Sequence, residues 1–255
     1  MAPSVVSGRR AYAPQMTRVA RPDAMAPDVE HGVERRRLVP PEEGSTLALE
    51  TIRLGPGASI QVADDLHDTL CFLANGTCAL DTVSLDGPGA GLVAAGRRCS
   101  LVGGADGATV LRVTLGSATD LHAPMGPAEP VIALDHVEPG KATGARSFQV
   151  LYGPHNGSTR ATIFVGYIPP GAAPWHYHLY DEIVWVLRGR GRLHLGETIE
   201  PLEPGAAFRL RPREVHIVEN TDPEVELAVV GIFTPAGSPS AAYLTADVAE
   251  TYAIG

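Results

Sequence analysis

Apolar residues along this chain gather in short runs, and most of these runs are closed by Pro-Gly or Gly-x-Gly punctuation. In the second half, Arg160–Ile168 leads to Pro170-Gly171, the run Ile183–Leu187, the turn Gly189-Arg190-Gly191, a further strand, Pro204-Gly205 and Ala206–Leu210. In the first half, Leu47–Leu54 leads to Pro56-Gly57, the stretch 64–76, Pro88-Gly89 and the stretch 90–104. Short runs separated by turn residues every ~8–12 positions predict strands of a sandwich or barrel rather than helices. Only 243–252 and part of 131–137 carry a helix-like spacing, so the predicted class is all-β with little helix.

The two halves share one layout, which predicts a degenerate repeat. Laying Asp68–Leu73 over Asp181–Val186 and Pro88-Gly89 over Pro204-Gly205 gives good hydrophobic agreement. The expected organisation is an N-terminal arm over 1–40, a first module over 41–118, a turn-rich linker over 119–150, a second module over 151–240, and a tail over 241–255 with a short helix. The arm is read as a loose segment or as a leading strand that packs on a neighbour.

Composition narrows the class further. With 255 residues, 44% of them apolar and 19% charged, the chain has the make-up of an ordinary globular protein. No window of eighteen uninterrupted apolar residues occurs, so no membrane span is expected. The formal charge of −9 argues against general nucleic-acid binding, which needs a basic face. Arginines cluster at Arg35–Arg37, read as a solvated strand entry, and at Arg188, Arg190 and Arg192, which would approach an anionic substrate. Cys71, Cys78 and Cys99 make an odd count without a CxxC pair, which fits a reduced, cytoplasmic protein.

The chemistry concentrates in residues 170–191 and 204–220. His176 and His178 are two apart, so on a strand they project from the same face. Glu182 follows at the head of Ile183–Leu187, and His216 sits on a later strand. Three imidazoles and one carboxylate suit a first-row divalent metal. Val184, Val186, Phe208 and Leu210 supply an apolar lining, with Val184 and Val186 sharing the parity of Glu182. Asp181 and Tyr177 face away from the ligands by the same alternation, Asp181 as a turn residue or a support for a ligand. Trp175 and Trp185 read as packing or interface residues. Of the remaining histidines, His194 is the best spare acid/base. In the first module the overlay places Ala63, Asp65, Thr69 and Ser100 opposite the four ligands, and His67 nearby is the one reason to consider a second site.

These residues resemble the cupin superfamily. Its first motif corresponds to Gly171, His176, His178, Glu182 and Gly189, with four residues between Gly171 and His176 where five are usual. Its second corresponds to Gly205, Pro212, Glu214, His216 and Asn220, with Glu214 in place of a usual glycine. The resemblance covers 160–233 well and 45–116 by pattern alone. It implies two cupin (jelly-roll β-barrel) domains in tandem, a bicupin whose first barrel lacks ligands. It further implies one divalent transition metal at His176, His178, Glu182 and His216, Fe(II) favoured and Mn, Ni, Zn or Cu the alternatives. The implied activity is that of a dioxygenase acting on a small chelating substrate. The alternatives are a redox-neutral isomerase, lyase, cyclase or hydrolase, and a binding protein without turnover. The expected assembly is a homodimer.

Overall fold

Alternating side chains build both barrels outward from one shared apolar layer. A computed structural model of the chain describes residues 17–245 apart from 46, 116–119, 121, 122, 124, 143 and 144. The first part of the chain forms β1 (Asp28–Glu30), β2 (Val33–Val39), β3 (Leu47–Leu54), β4 (Ser59–Ala63), β5 (Thr69–Leu80), β6 (Val83–Asp86), β7 (Gly89–Val93), β8 (Arg98–Leu115) and β9 (Val131–Ala133). These make one nine-stranded antiparallel sheet, ordered β1-β2-β3-β8-β5-β7-β9, with β4 also on β8 and β6 on β5.

The second part forms β10 (Gly140–Lys141), β11 (Ser147–Tyr152), β12 (Thr162–Ile168), β13 (Gly171–Ala172), β14 (His176–Tyr177) and β15 (Asp181–Arg188). It continues with β16 (Gly191–Leu195), β17 (Thr198–Leu202), β18 (Ala207–Leu210), β19 (Ile217–Asn220), β20 (Leu227–Thr234) and β21 (Tyr243–Leu244). They build a six-stranded sheet β10-β11-β12-β20-β15-β18, a four-stranded sheet β13-β19-β16-β17 and the pair β14-β21. The only helical segments among the described residues are three short 3-10 turns, one of them Leu134–His136 within the expected helix-like patch. Of the expected C-terminal helix, Tyr243 and Leu244 are strand and residues 246–255 lie outside the described residues.

Strand parity assigns each face. On β15, Ile183 and Trp185 join a large cluster with Leu70, Phe72, Leu111 and Val113 of the first sheet. Val184 and Val186 face the other way, into the second barrel with Phe208 and Leu210. On β5, Leu70 and Phe72 enter the shared cluster while Cys71 and Leu73 enter the first barrel. Both strands are buried on both faces, which is why they read as unbroken apolar runs. Full burial of each such side chain contributes about 1.5–3 kcal/mol. At the turn Gly189-Arg190-Gly191, which carries the chain from β15 of the six-stranded sheet to β16 of the four-stranded sheet, Gly189 has φ +85, and a Cβ on Gly191 would lie 2.2 Å from the Glu219 carbonyl. Glycine is required there by the backbone.

Two parts of the expected organisation differ. Residues 28–39 of the expected arm are β1 and β2, full members of the first sheet. Upstream, Ala20 exchanges both backbone hydrogen bonds with Ala207 (2.7 and 2.9 Å), so this stretch lies along β18. Within the expected linker, β9 pairs with β7, and β11 pairs with β12.

Candidate metal centre

The three histidines arrive from two pieces of backbone. His176 and His216 face one another in an isolated antiparallel bridge, with N–H···O distances of 3.3 and 2.9 Å. His178 follows two residues on, and Glu182 opens β15, paired with Leu210 on β18 and Phe233 on β20. One nitrogen from each of the three imidazoles lies within 4.8 Å of the other two. His178 Nε2 stands 3.8 Å from Glu182 Oε2. The three expected histidines are thus brought together, Glu182 stands beside His178, and all four residues are buried.

Backbone carbonyls orient the rings. His176 Nδ1 donates to Pro174 O at 2.8 Å, His178 Nδ1 to Ala241 O at 3.3 Å, and His216 Nδ1 to Glu214 O at 2.8 Å. A carbonyl oxygen only accepts, so each Nδ1 carries the proton and each Nε2 keeps its lone pair for a ligand role. Glu214, in the place of a motif glycine, contributes the carbonyl that fixes His216.

Electrostatics favours neutral groups throughout. Burial pushes His178 down to about 4 and His216 down to about 3, and it lowers His176 as well. The positive charge of Arg146 depresses all three further. Burial, with Asp181 as a lesser cause, raises Glu182 to about 8. The His178–Glu182 pair has the spacing of an ion pair, yet burial holds both partners neutral near pH 7, so the contact is not ionic. A buried carboxyl beside three oriented, neutral imidazoles is a donor set that fits a divalent cation, whose charge would restore the carboxylate.

The ligands open onto a cavity of about 100 Å³. Val184 and Leu210 line it, as expected, whereas Val186 and Phe208 pack in the cluster behind. Tyr180 stacks on His178 (centroids 4.6 Å apart) and on Phe233 (3.9 Å). Gly231 leaves the space that Phe164 and Glu182 occupy: a Cβ there would sit 2.3 Å from the Phe164 ring and 2.9 Å from Glu182 Oε1.

Asp181 supports Glu182 from the opposite face. It accepts from Ser45 Oγ and from Arg209 Nη1 (2.8 Å). Arg209, itself buried, also donates to the carbonyls of Pro40 (3.1 Å) and Leu47. Residues preceding β3 therefore hold the strand that bears Glu182.

Several expectations need correction. His194 lies outside the cavity lining; its Nε2 is 2.8 Å from Glu219, and its ring meets Trp175 edge-on. Arg188 bonds Glu226 (3.3 Å) and Arg192 lies 4.0 Å from Glu219, so neither reaches the cavity. The cation that lines it is Arg146, which sits in a turn-rich stretch with no sequence signal to mark it. Tyr180 likewise belongs to no motif, although its parity with His178 places it on the same face. Tyr177 turns away and stacks on Tyr243, and Trp185 packs in the shared core.

The first barrel differs more deeply from expectation. Glu182 pairs with Leu210 and Phe233, and Thr69 pairs with Val93 and Thr114, so Thr69 holds the position of Glu182. The bridge His176↔His216 corresponds to the pair Val62↔Cys99, because Leu193↔Val218 of the second barrel matches Leu80↔Leu101 of the first. Two residues on, Asp64 corresponds to His178. The expected counterparts Ala63, Asp65 and Ser100 are displaced by an odd number of residues, which turns a side chain to the other face. Val62 and Cys99 are buried with Ile60 and Leu101 in the first barrel's core, where the remaining void is about 10 Å³. Asp65 has a side chain 78% exposed, and His67 Nδ1 lies 3.1 Å from both oxygens of Asp64. Among the described residues, His176, His178 and His216 are the one cluster of His, Cys, Asp or Glu placed to hold a metal.

Comparison with known proteins agrees with this architecture. Residues 164–233 match the family model for a cupin domain. Oxalate decarboxylase from Lactobacillus farciminis, in a formate complex, superposes with a TM-score of 0.74 at 13% identity, over 94% of this chain and 92% of that one. A variant of Bacillus subtilis oxalate decarboxylase gives a TM-score of 0.72 at 15% identity, over 91% of this chain and 80% of that one. No curated protein sequence matches the chain. Residues 164–233 thus match a cupin domain, and the chain as a whole has a fold like that of these oxalate decarboxylases.

Proposed function

We propose that this protein is a metal-dependent cupin enzyme that holds one divalent transition metal at His176, His178, Glu182 and His216 and acts on a small organic anion bound there. The observation that carries the reading is the convergence of three buried imidazoles, each presenting Nε2, beside the buried Glu182 carboxyl. When bound, the metal would supply an electrophilic centre with coordination positions left open for a chelating substrate. Arg146 favours an anionic group on that substrate and discourages a cationic one. The apolar walls Val184, Ile168 and Leu210 exclude water and strengthen each charge interaction inside. Burial raises the Glu182 carboxyl to about 8, so it would give up its proton as the metal binds.

In this reading the reaction is an oxygenation, since an apolar cavity beside an open metal edge suits dioxygen. A redox-neutral lyase is the second reading, favoured by likeness to oxalate decarboxylases, among them the Bacillus subtilis enzyme with its Mn(II) centres. That likeness places Mn(II) beside Fe(II) as a candidate ion. The first barrel, 41–118, is in this account a cupin that holds Val62, Asp64, Thr69 and Cys99 at the four ligand positions and serves as a support for the second. A cytoplasmic homodimer is the proposed state, to be read from light scattering of the full chain.

Elemental analysis of the purified protein and of His176→Ala tests the centre. One metal equivalent in the protein and none in the variant is expected; equal metal in both refutes it. Oxygen uptake with candidate hydroxy acids, enediols and β-diketones, compared with turnover under nitrogen, separates the two reactions.

A further inference from the structure

A second cavity, of about 440 Å³, adjoins the metal cavity. The two share Phe148 and Pro239 as walls. On β11, Phe148 and Val150 are two apart and point to the same face. They pair with Gly166 and Phe164 of β12, both of which line the metal cavity. The larger cavity is therefore a continuation of the smaller one along a single face of the β11–β12 ladder.

Its chemistry differs from that of the metal end. Met125, Phe148, Val150, Pro154 and Pro239 make its surface mostly apolar. The amide of Asn156 is occupied by backbone, accepting from Gly153 N (2.9 Å) and donating to Leu151 O (2.6 Å). About 150 Å³ of apolar space is enough to hold a benzene ring. The metal cavity alone falls short of that, and the larger cavity exceeds it.

We infer that the Met125–Phe148–Val150–Pro239 cavity is the seat of an apolar tail, so that the substrate is an organic acid with an aryl or branched-alkyl group attached to its metal-binding head. This rests on the proposed metal centre. It separates the substrate from a bare dicarboxylate, which would leave the larger cavity unfilled. Phe148 and Pro239, at the junction, set which tails pass from one cavity to the other.

The test compares two probes with the same 2-hydroxy-acid head, lactate and 3-phenyllactate. Both are titrated calorimetrically into the full chain loaded with Mn(II), with metal content measured on the same sample. Burying the phenyl group should make 3-phenyllactate bind about tenfold to a hundredfold more tightly. Val150→Phe and Gly237→Leu fill the cavity, and a Cβ at Gly237 would meet only Phe233, at 3.8 Å. Either folded variant should bring the affinity ratio toward one while lactate affinity stays unchanged. Equal affinities in the metal-loaded protein overturn the tail site and leave the metal centre standing. A preference for 3-phenyllactate that survives both filling variants overturns it also. A sample that takes up no metal and binds neither probe overturns both the centre and the tail site.

Discussion

Glu182→Gln probes the energetic core of the site. In the metal-free protein the Glu182 carboxyl titrates at about 8, against an ordinary value of 4.5. The folded state thus keeps a proton that the unfolded chain gives up, so this group's effect on stability is absent below about pH 4.5 and grows unfavourable as pH rises toward 8. Each pH unit in that window costs about 1.4 kcal/mol, which amounts to roughly 3 kcal/mol at pH 7 and about 2 kcal/mol between pH 6.5 and 8.5. The histidines act on the opposite limb: their lowered values remove stability as pH falls below 6.5. Urea unfolding in the presence of a chelator should therefore show highest stability near pH 6.5, with an alkaline decline that Glu182→Gln abolishes. Metal binding gives an independent reading. At pH 7 the carboxyl should release about 0.9 proton on binding while the neutral imidazoles release almost none, as measured by titration calorimetry in buffers of different ionisation enthalpy. Parallel pH profiles for the two proteins, or release of less than about 0.3 proton, would refute the electrostatic reasoning.

Three further outcomes follow from named contacts. Arg209→Met leaves the half-buried Asp181 with Ser45 as its remaining donor, and unfolding by urea should register a loss of about 3 kcal/mol. Leu101→Ala opens the filled interior of the first barrel and should cost about 3–5 kcal/mol with metal content unchanged. Gly231→Ala drives a Cβ against Phe164 and Glu182, so metal affinity should fall about tenfold or more while the far-UV spectrum is retained; unchanged affinity would mean that Glu182 does not bind the ion.

Much of the centre was legible because covalent spacing and strand alternation leave little freedom. His176 and His178 share a face wherever they lie on a strand, and the glycines around Arg190 mark the turn at which the chain leaves β15 for the other sheet. The alignment of the halves failed where loops differ in length. Hydrogen-bond register decides that Val62 rather than Ala63 corresponds to His176, and Cys99 rather than Ser100 to His216, and an odd displacement exchanges core for solvent.

The chain alone determined an all-β protein, a repeated layout, and four ligand-type side chains in a pattern that resembles cupins. Only the tertiary structure decided what surrounds them. Arg146 reaches the cavity from a turn-rich stretch, Ser45 and Leu47 steady Asp181 across more than a hundred residues of sequence, and carbonyls at Pro174, Ala241 and Glu214 choose the tautomers. These contacts depend on how sheets pack and how strands register, which are properties of the folded whole that local pattern does not carry.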